Sequence, residues 1–211
     1  MMTLVTALTA CSTLATSPKN KVIEYDEQVK LYDGSLFWVH IKRHYALASG
    51  ALGDAGALEH SYVPTQVEVS WDTGFENIGR QTVFFNNAEH AFEYIDKQNS
   101  VWYIYGAVRA CASPKDGIYD VITGQCVEGK GQFIQHSAYL YALDQQGFVK
   151  KSLDDLSTHS NFNVMDTRGL LNISTPPFEL DGKTLSWQQK LQMKSTQKTF
   201  GQFFGKSVKN N

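Results

Sequence analysis

The sequence predicts a mainly β fold: an antiparallel meander of hairpins packed as a sandwich, a barrel or propeller-like blades, with a short C-terminal helix. Three observations predict it. Across residues 36–44, Phe37, Val39 and Ile41 alternate with Trp38, His40 and Lys42, the period-two pattern of a half-buried strand. Aromatic-rich segments of this kind recur on both sides of short polar turns. Finally, Val101-Trp102-Tyr103-Ile104-Tyr105 is apolar or aromatic at every position, so both of its faces should be covered, which favours packed layers over one exposed sheet.

The first hairpin pairs residues 24–31 with 36–44 through Tyr32-Asp33-Gly34-Ser35; Asp-Gly between alternating segments predicts a type I′ turn, which needs positive φ. Residues 46–58, rich in Gly and Ala, read as a loop with one helical turn at most. A strand over 66–71 ends at Asp72-Thr73-Gly74, and 81–85 returns from it. Two further hairpins follow, 92–96 with 101–108 and 138–143 with 148–151, joined by Lys97-Gln98-Asn99-Ser100 and Asp144-Gln145-Gln146-Gly147. Around 186–198, Ser186 and Gln189 fit a capping box, while Trp187, Leu191 and Lys194 repeat at helical spacing, so a helix is expected there.

Composition limits the function classes. The 211 residues suit one domain, and 19 Lys+Arg against 21 Asp+Glu give a net charge of −2. That balance lacks the basic footprint of a nucleic-acid binder. The first ten residues, Met1 to Ala10, are apolar and small, and the run from Ser12 to Asn20 is polar. This is the profile of a processed signal, too short to span a membrane, although it carries no Lys or Arg. At the junction, Leu8-Thr9-Ala10-Cys11 resembles the lipobox of bacterial lipoproteins. The resemblance covers these four residues and implies cleavage before Cys11, a diacylglycerol on its sulfur and acylation of the new amine, palmitate being one such chain. Ser12 after the cysteine implies export to the periplasmic face of the outer membrane. The expected organisation is a signal over 1–10, a tether over 11–21 and a single β-rich domain over 22–211. The order of features over roughly 22–175 also resembles small uncharacterised β-rich proteobacterial envelope proteins, which implies no activity.

Cys111 and Cys126 flank a segment whose Pro and Gly residues read as a surface excursion. In an oxidising compartment they would pair as a disulfide, closing a loop worth roughly 3 kcal/mol in the chain-entropy model. The rival readings are two buried thiols or a zinc half-site, and the close C-x-x-C spacing that zinc favours is absent. No metal or other cofactor is expected. Tyr103, Tyr105, Tyr119, Tyr139 and Tyr141 surround this loop in sequence and, with Asp116 and Asp120, form the candidate binding surface, since tyrosine joins apolar area to a polar tip.

No G-x-S-x-G elbow, P-loop or EF-hand run occurs. His40 and His44 share a strand face about 13 Å apart at ~3.3 Å per residue, too far for one metal, and Asp26-Glu27 reads as a solvated pair on opposite faces. The expectation is therefore an envelope-anchored module that binds another envelope protein and inhibits, protects or assembles it, with no catalytic residues. The alternatives are an envelope hydrolase using Asp116, Asp120 or Asp154 with a histidine, and a structural subunit of a larger envelope or virion assembly.

Overall fold

The computed structural model describes residues 20–47, 62–86, 92–108, 118–127, 137–151, 163–164 and 180–196. The expected loop over 46–58 lies almost wholly outside them, as do Cys11, Cys111, Asp116 and Asp154. The described chain is mainly β: a five-stranded sheet, a four-stranded sheet and a small two-stranded ribbon. Neither large sheet closes on itself, and one apolar core joins their inner faces, so the architecture is a sandwich.

The first sheet has β11 (Thr184–Leu185) at one edge, followed in order by β1, β2, β3 and β4. Its β1 (Asn20–Lys30) and β2 (Leu36–Leu47) form the predicted hairpin. The turn differs from the expected type I′. Gly34 N donates to Leu31 O at 2.9 Å, Leu31 N donates to Ser35 O at 2.9 Å, and Gly34 alone takes a positive φ, +86°. That is a three-residue loop with a glycine bulge, and Asp33 Oδ1 braces it by accepting from Ser35 N and Oγ. Next come β3 (Tyr62–Asp72) and β4 (Arg80–Phe85). Pro64 is tolerated inside β3 because the β2–β3 register shifts between His44 and Tyr45, a bulge that frees a position from the ladder.

The second sheet has the order β10-β9-β6-β5, from β5 (Tyr94–Gln98), β6 (Val101–Val108), β9 (Ser137–Asp144) and β10 (Gly147–Lys151). Here the two-residue turn with positive φ does occur, at Asn99 (+50°) and Ser100 (+63°). As expected, β6 is covered on both faces: Trp102 and Ile104 point into the core, while Tyr94, Asp96 and Leu140, paired to its other face, are buried too.

Aromatic contacts hold the layers together. The Trp102 ring lies 5.0 Å from Phe37 and 5.9 Å from Trp71, and its Nε1 donates to Thr73 O at 2.9 Å; Phe85 stacks on Phe92 at 5.6 Å. Asn163 ties the edges. Its Oδ1 accepts from Ile95 N and its Nδ2 donates to Ile95 O and Lys30 O, so one buried amide caps the edge of β5 and joins it to the end of β1.

The ribbon of β7 (Ile118–Asp120) and β8 (Gln125–Val127) docks where Phe84 N donates to Val121 O at 2.7 Å. At the chain's end, β11 (Thr184–Leu185) pairs parallel with β1 at Asp26 and Glu27, and α1 (Trp187–Thr196) follows. The capping box forms as predicted: Ser186 N donates to Gln189 Oε1, and Gln189 N donates to Ser186 Oγ. Within α1 Lys190 is buried, whereas Leu191 is exposed. Lys190 Nζ meets Glu27 Oε1 at 2.7 Å and donates to Gln28 O and Asn163 O. Glu27 is thus fully buried and ion-paired, which corrects its reading as solvated: β1 turns Ile23, Tyr25, Glu27 and Val29 to the core in strict alternation.

Candidate functional site

The outer face of the five-stranded sheet divides into two ends. Over one end the β7–β8 ribbon is packed: Tyr119 OH accepts from Gln66 Nε2 at 2.9 Å, and Gly124 sits against the Phe84 ring so closely that a Cβ there would meet it at 2.8 Å. The other end is open. There a concavity of about 550 Å³ is lined by Asp26, Trp38, His40, Ser70, Asp72 and Arg80, with Thr184 from β11.

Register explains why these residues meet. Thr184, Asp26, His40, Ser70 and Thr82 occupy one continuous rung across all five strands. Directly opposed residues of neighbouring strands point to the same face, with Cβ atoms about 5 Å apart. Trp38 and the pair Asp72–Arg80 lie one step of the same face further toward the β1–β2 turn. His40 Nδ1 donates to Asp26 Oδ1 at 3.0 Å, and its Nε2 lies 3.7 Å from Glu24 Oε2. Beyond it, Lys42 Nζ pairs with Glu24 Oε1 at 3.1 Å, and His44 Nε2 pairs with Glu68 Oε1. The Glu24 carboxylate holds the Lys42 ammonium above its ordinary pKa, first through the hydrogen bond and then through charge.

Asp26, His40 and Ser70 on successive strands have the composition of a catalytic triad, but not its geometry. A base must bond the nucleophile it activates. Both nitrogens of His40 face β1, and Ser70 Oγ accepts from Arg80 Nε at 3.2 Å and Nη2 at 2.9 Å. The main-chain amides of these central strands are spent on the ladder, so they offer no oxyanion hole. The arrangement can bind and orient a polar ligand. Among the described residues, no group of three His, Cys, Asp or Glu gathers to hold a metal, and no helix is long and apolar enough to cross a membrane.

The tyrosines of the candidate surface do not form one surface. Tyr103 and Tyr105 share the face of β6 opposite the core, with Asp96 and Tyr94 beside them, whereas Tyr141 is paired with Ile104 and packs against the core. Tyr139 pairs with Gly106. Burial, first of all, pushes the Tyr105 and Tyr119 hydroxyls up. Tyr119 is a core residue, and Asp120 caps the ribbon's turn, its Oδ1 accepting from Ile122 N and its Oδ2 from Thr123 Oγ1. Substituting either would disturb folding before it disturbed binding. Cys126 is exposed on β8 and disulfide-bonded; Cys111, the expected partner, lies outside the described residues, as does Asp116.

The concavity draws one or two of these residues from each of five strands, and sequence reasoning singled out none of them as a site. One signal was present: Trp38 falls on the polar side of an alternating strand, where a large aromatic ring is out of place unless something covers it. No family model, curated protein or solved structure matches the chain.

Proposed function

We propose that the chain is an envelope lipoprotein, anchored through Cys11, whose β-sandwich acts by binding another envelope protein and not by catalysis. The observation that carries the binding reading is the open end of the outer sheet face, where an exposed tryptophan and polar side chains line a concavity with no activated nucleophile among them. The scattered-acid hydrolase is less well supported, because both oxygens of Asp120 are committed to a turn.

The anchor fits this placement. From Cys11 to the start of β1 at Asn20 a fully extended chain would reach about 30 Å. The concavity lies six residues further along β1, at Asp26, about 20 Å from the start of that strand. A disulfide from Cys126 to Cys111 would brace the segment next to the ribbon, as an oxidising compartment allows.

A photo-crosslinking residue at position 38 should capture the partner in intact cells, while the same residue at Gln188, exposed on α1, should not. Equal capture from both positions would refute the surface. Fatty-acid labelling should vanish in Cys11→Ser, and unchanged labelling would refute the anchor.

A further inference from the structure

We infer that the concavity beside Trp38 is a binding site for a neutral saccharide segment of an envelope glycan, an inference that rests on reading this face as the recognition surface. The volume, about 550 Å³, falls among small-molecule sites of about 300–1,000 Å³. Its lining has the three things a pyranose ring needs. Trp38, 44% exposed, offers a flat apolar face on which the C–H side of a sugar can stack. Acceptors come from Asp26 and Asp72: each has one oxygen engaged, by His40 Nδ1 and by Gly74 N respectively, and the other carries no hydrogen bond from the described residues. Donors come from the Arg80 guanidinium and the hydroxyls of Ser70 and Thr184. Vicinal sugar hydroxyls both donate and accept, so they suit a lining that mixes carboxylates with a guanidinium better than either a cation or an anion would.

Charge narrows the ligand. Two carboxylates against one guanidinium leave the concavity net negative, which disfavours a sugar acid. The site is also held in place before any ligand arrives. Arg80 is anchored on Ser70 by two hydrogen bonds, His40 is anchored on Asp26, and all of these stand on paired central strands. Little ordering cost then falls on binding.

The test is titration of the folded protein with chitotriose, and with sialic acid as an anionic control, followed by amide and indole shifts in heteronuclear NMR. The expected result is saturable shifts at Trp38, Ser70 and Thr82 with millimolar affinity, at least about ten-fold weaker for sialic acid. Trp38→Ala should abolish the shifts, Asp26→Asn should weaken binding several-fold, and both variants should keep the wild-type spectrum elsewhere. No saturable shift up to about 20 mM chitotriose, or shifts that survive Trp38→Ala, would overturn the saccharide. Cellular crosslinking from position 38 separates this inference from the one beneath it. Crosslinks to a protein that saturating chitotriose leaves unchanged would retain the recognition surface and overturn the sugar. Loss of all crosslinks together with absent shifts would overturn both.

Discussion

Asp26 and Glu27 are neighbours on β1 with the same chemistry and opposite surroundings. Asp26 faces outward, half-exposed, and takes its hydrogen bond from the part-exposed His40; Glu27 faces inward, fully buried, and meets Lys190, whose side chain is 6% exposed. One residue of strand rise therefore separates a pair that water screens from a pair that water does not reach. The difference shows where polarity in this fold is adaptable and where it is structural. On the outer face, charges sit at low cost and remain available to a ligand. On the inner face each charge is desolvated, so the loss of a partner there costs far more than it does outside.

The largest effect should come from breaking the inner pair. Lys190→Ala would take the ammonium from the buried Glu27 carboxylate and remove the lysine's hydrogen bonds to Gln28 O and Asn163 O. A loss of about 3–5 kcal/mol is expected, read as a fall in the denaturant midpoint. Replacing both partners, Glu27→Leu with Lys190→Met, should lose less than Lys190→Ala alone, because the carboxylate goes with its ammonium and the buried Arg43 guanidinium beside it keeps its hydrogen bond to Tyr25 OH. A double variant as unstable as the single would show that the lysine acts through its backbone contacts and not through the ion pair.

The outer face is not uniformly permissive, and Gly124 marks its limit. With φ at +70° and the Phe84 ring 2.8 Å from where a Cβ would stand, Gly124→Ala should destabilise by about 2 kcal/mol through strain and displacement. An equal loss from Gly182→Ala, where φ is +68° and nothing lies within 4 Å, would assign the whole effect to backbone conformation.

What was legible in the sequence follows the same division. The hairpins could be read because turn chemistry is local, and the capping box because Ser186 and Gln189 are three residues apart. The turn types were exchanged: Asp33-Gly34 gave a bulged loop, while Asn99-Ser100 took positive φ without glycine, because the register of β5 on β6 leaves only two residues to make the turn. The Glu27–Lys190 pair spans 163 residues, and nothing local announces a lysine partner. Its inward direction was nonetheless implied, since Glu27 stands in phase with Ile23, Tyr25 and Val29. The rung from Thr184 to Thr82 was invisible because it depends on the registers of four strand pairs at once.

The two faces should also respond to alkali with opposite signs. Burial lowers the Lys190 pKa below 10.5 despite the attraction of Glu27. The cost of keeping it charged is fully present below that lowered value and is relieved as pH climbs to 10.5, so stability relative to Lys190→Met should rise across this window. Lys42 is raised above 10.5 by its Glu24 hydrogen bond. Its contribution is complete below 10.5 and is lost as pH rises through the higher folded value, so stability relative to Lys42→Met should fall there. Denaturation between about pH 8 and pH 11 measures both slopes, and slopes of one sign would mean that the two lysines share an environment.

The smallest effect belongs to the outer pair itself. Glu24 is half-exposed and Lys42 a third exposed, so a double-mutant cycle through Glu24→Gln and Lys42→Met should give a coupling of about 0.5 kcal/mol that fades with added salt. A coupling above about 2 kcal/mol, insensitive to salt, would instead place this pair with the buried one and erase the contrast between the two faces.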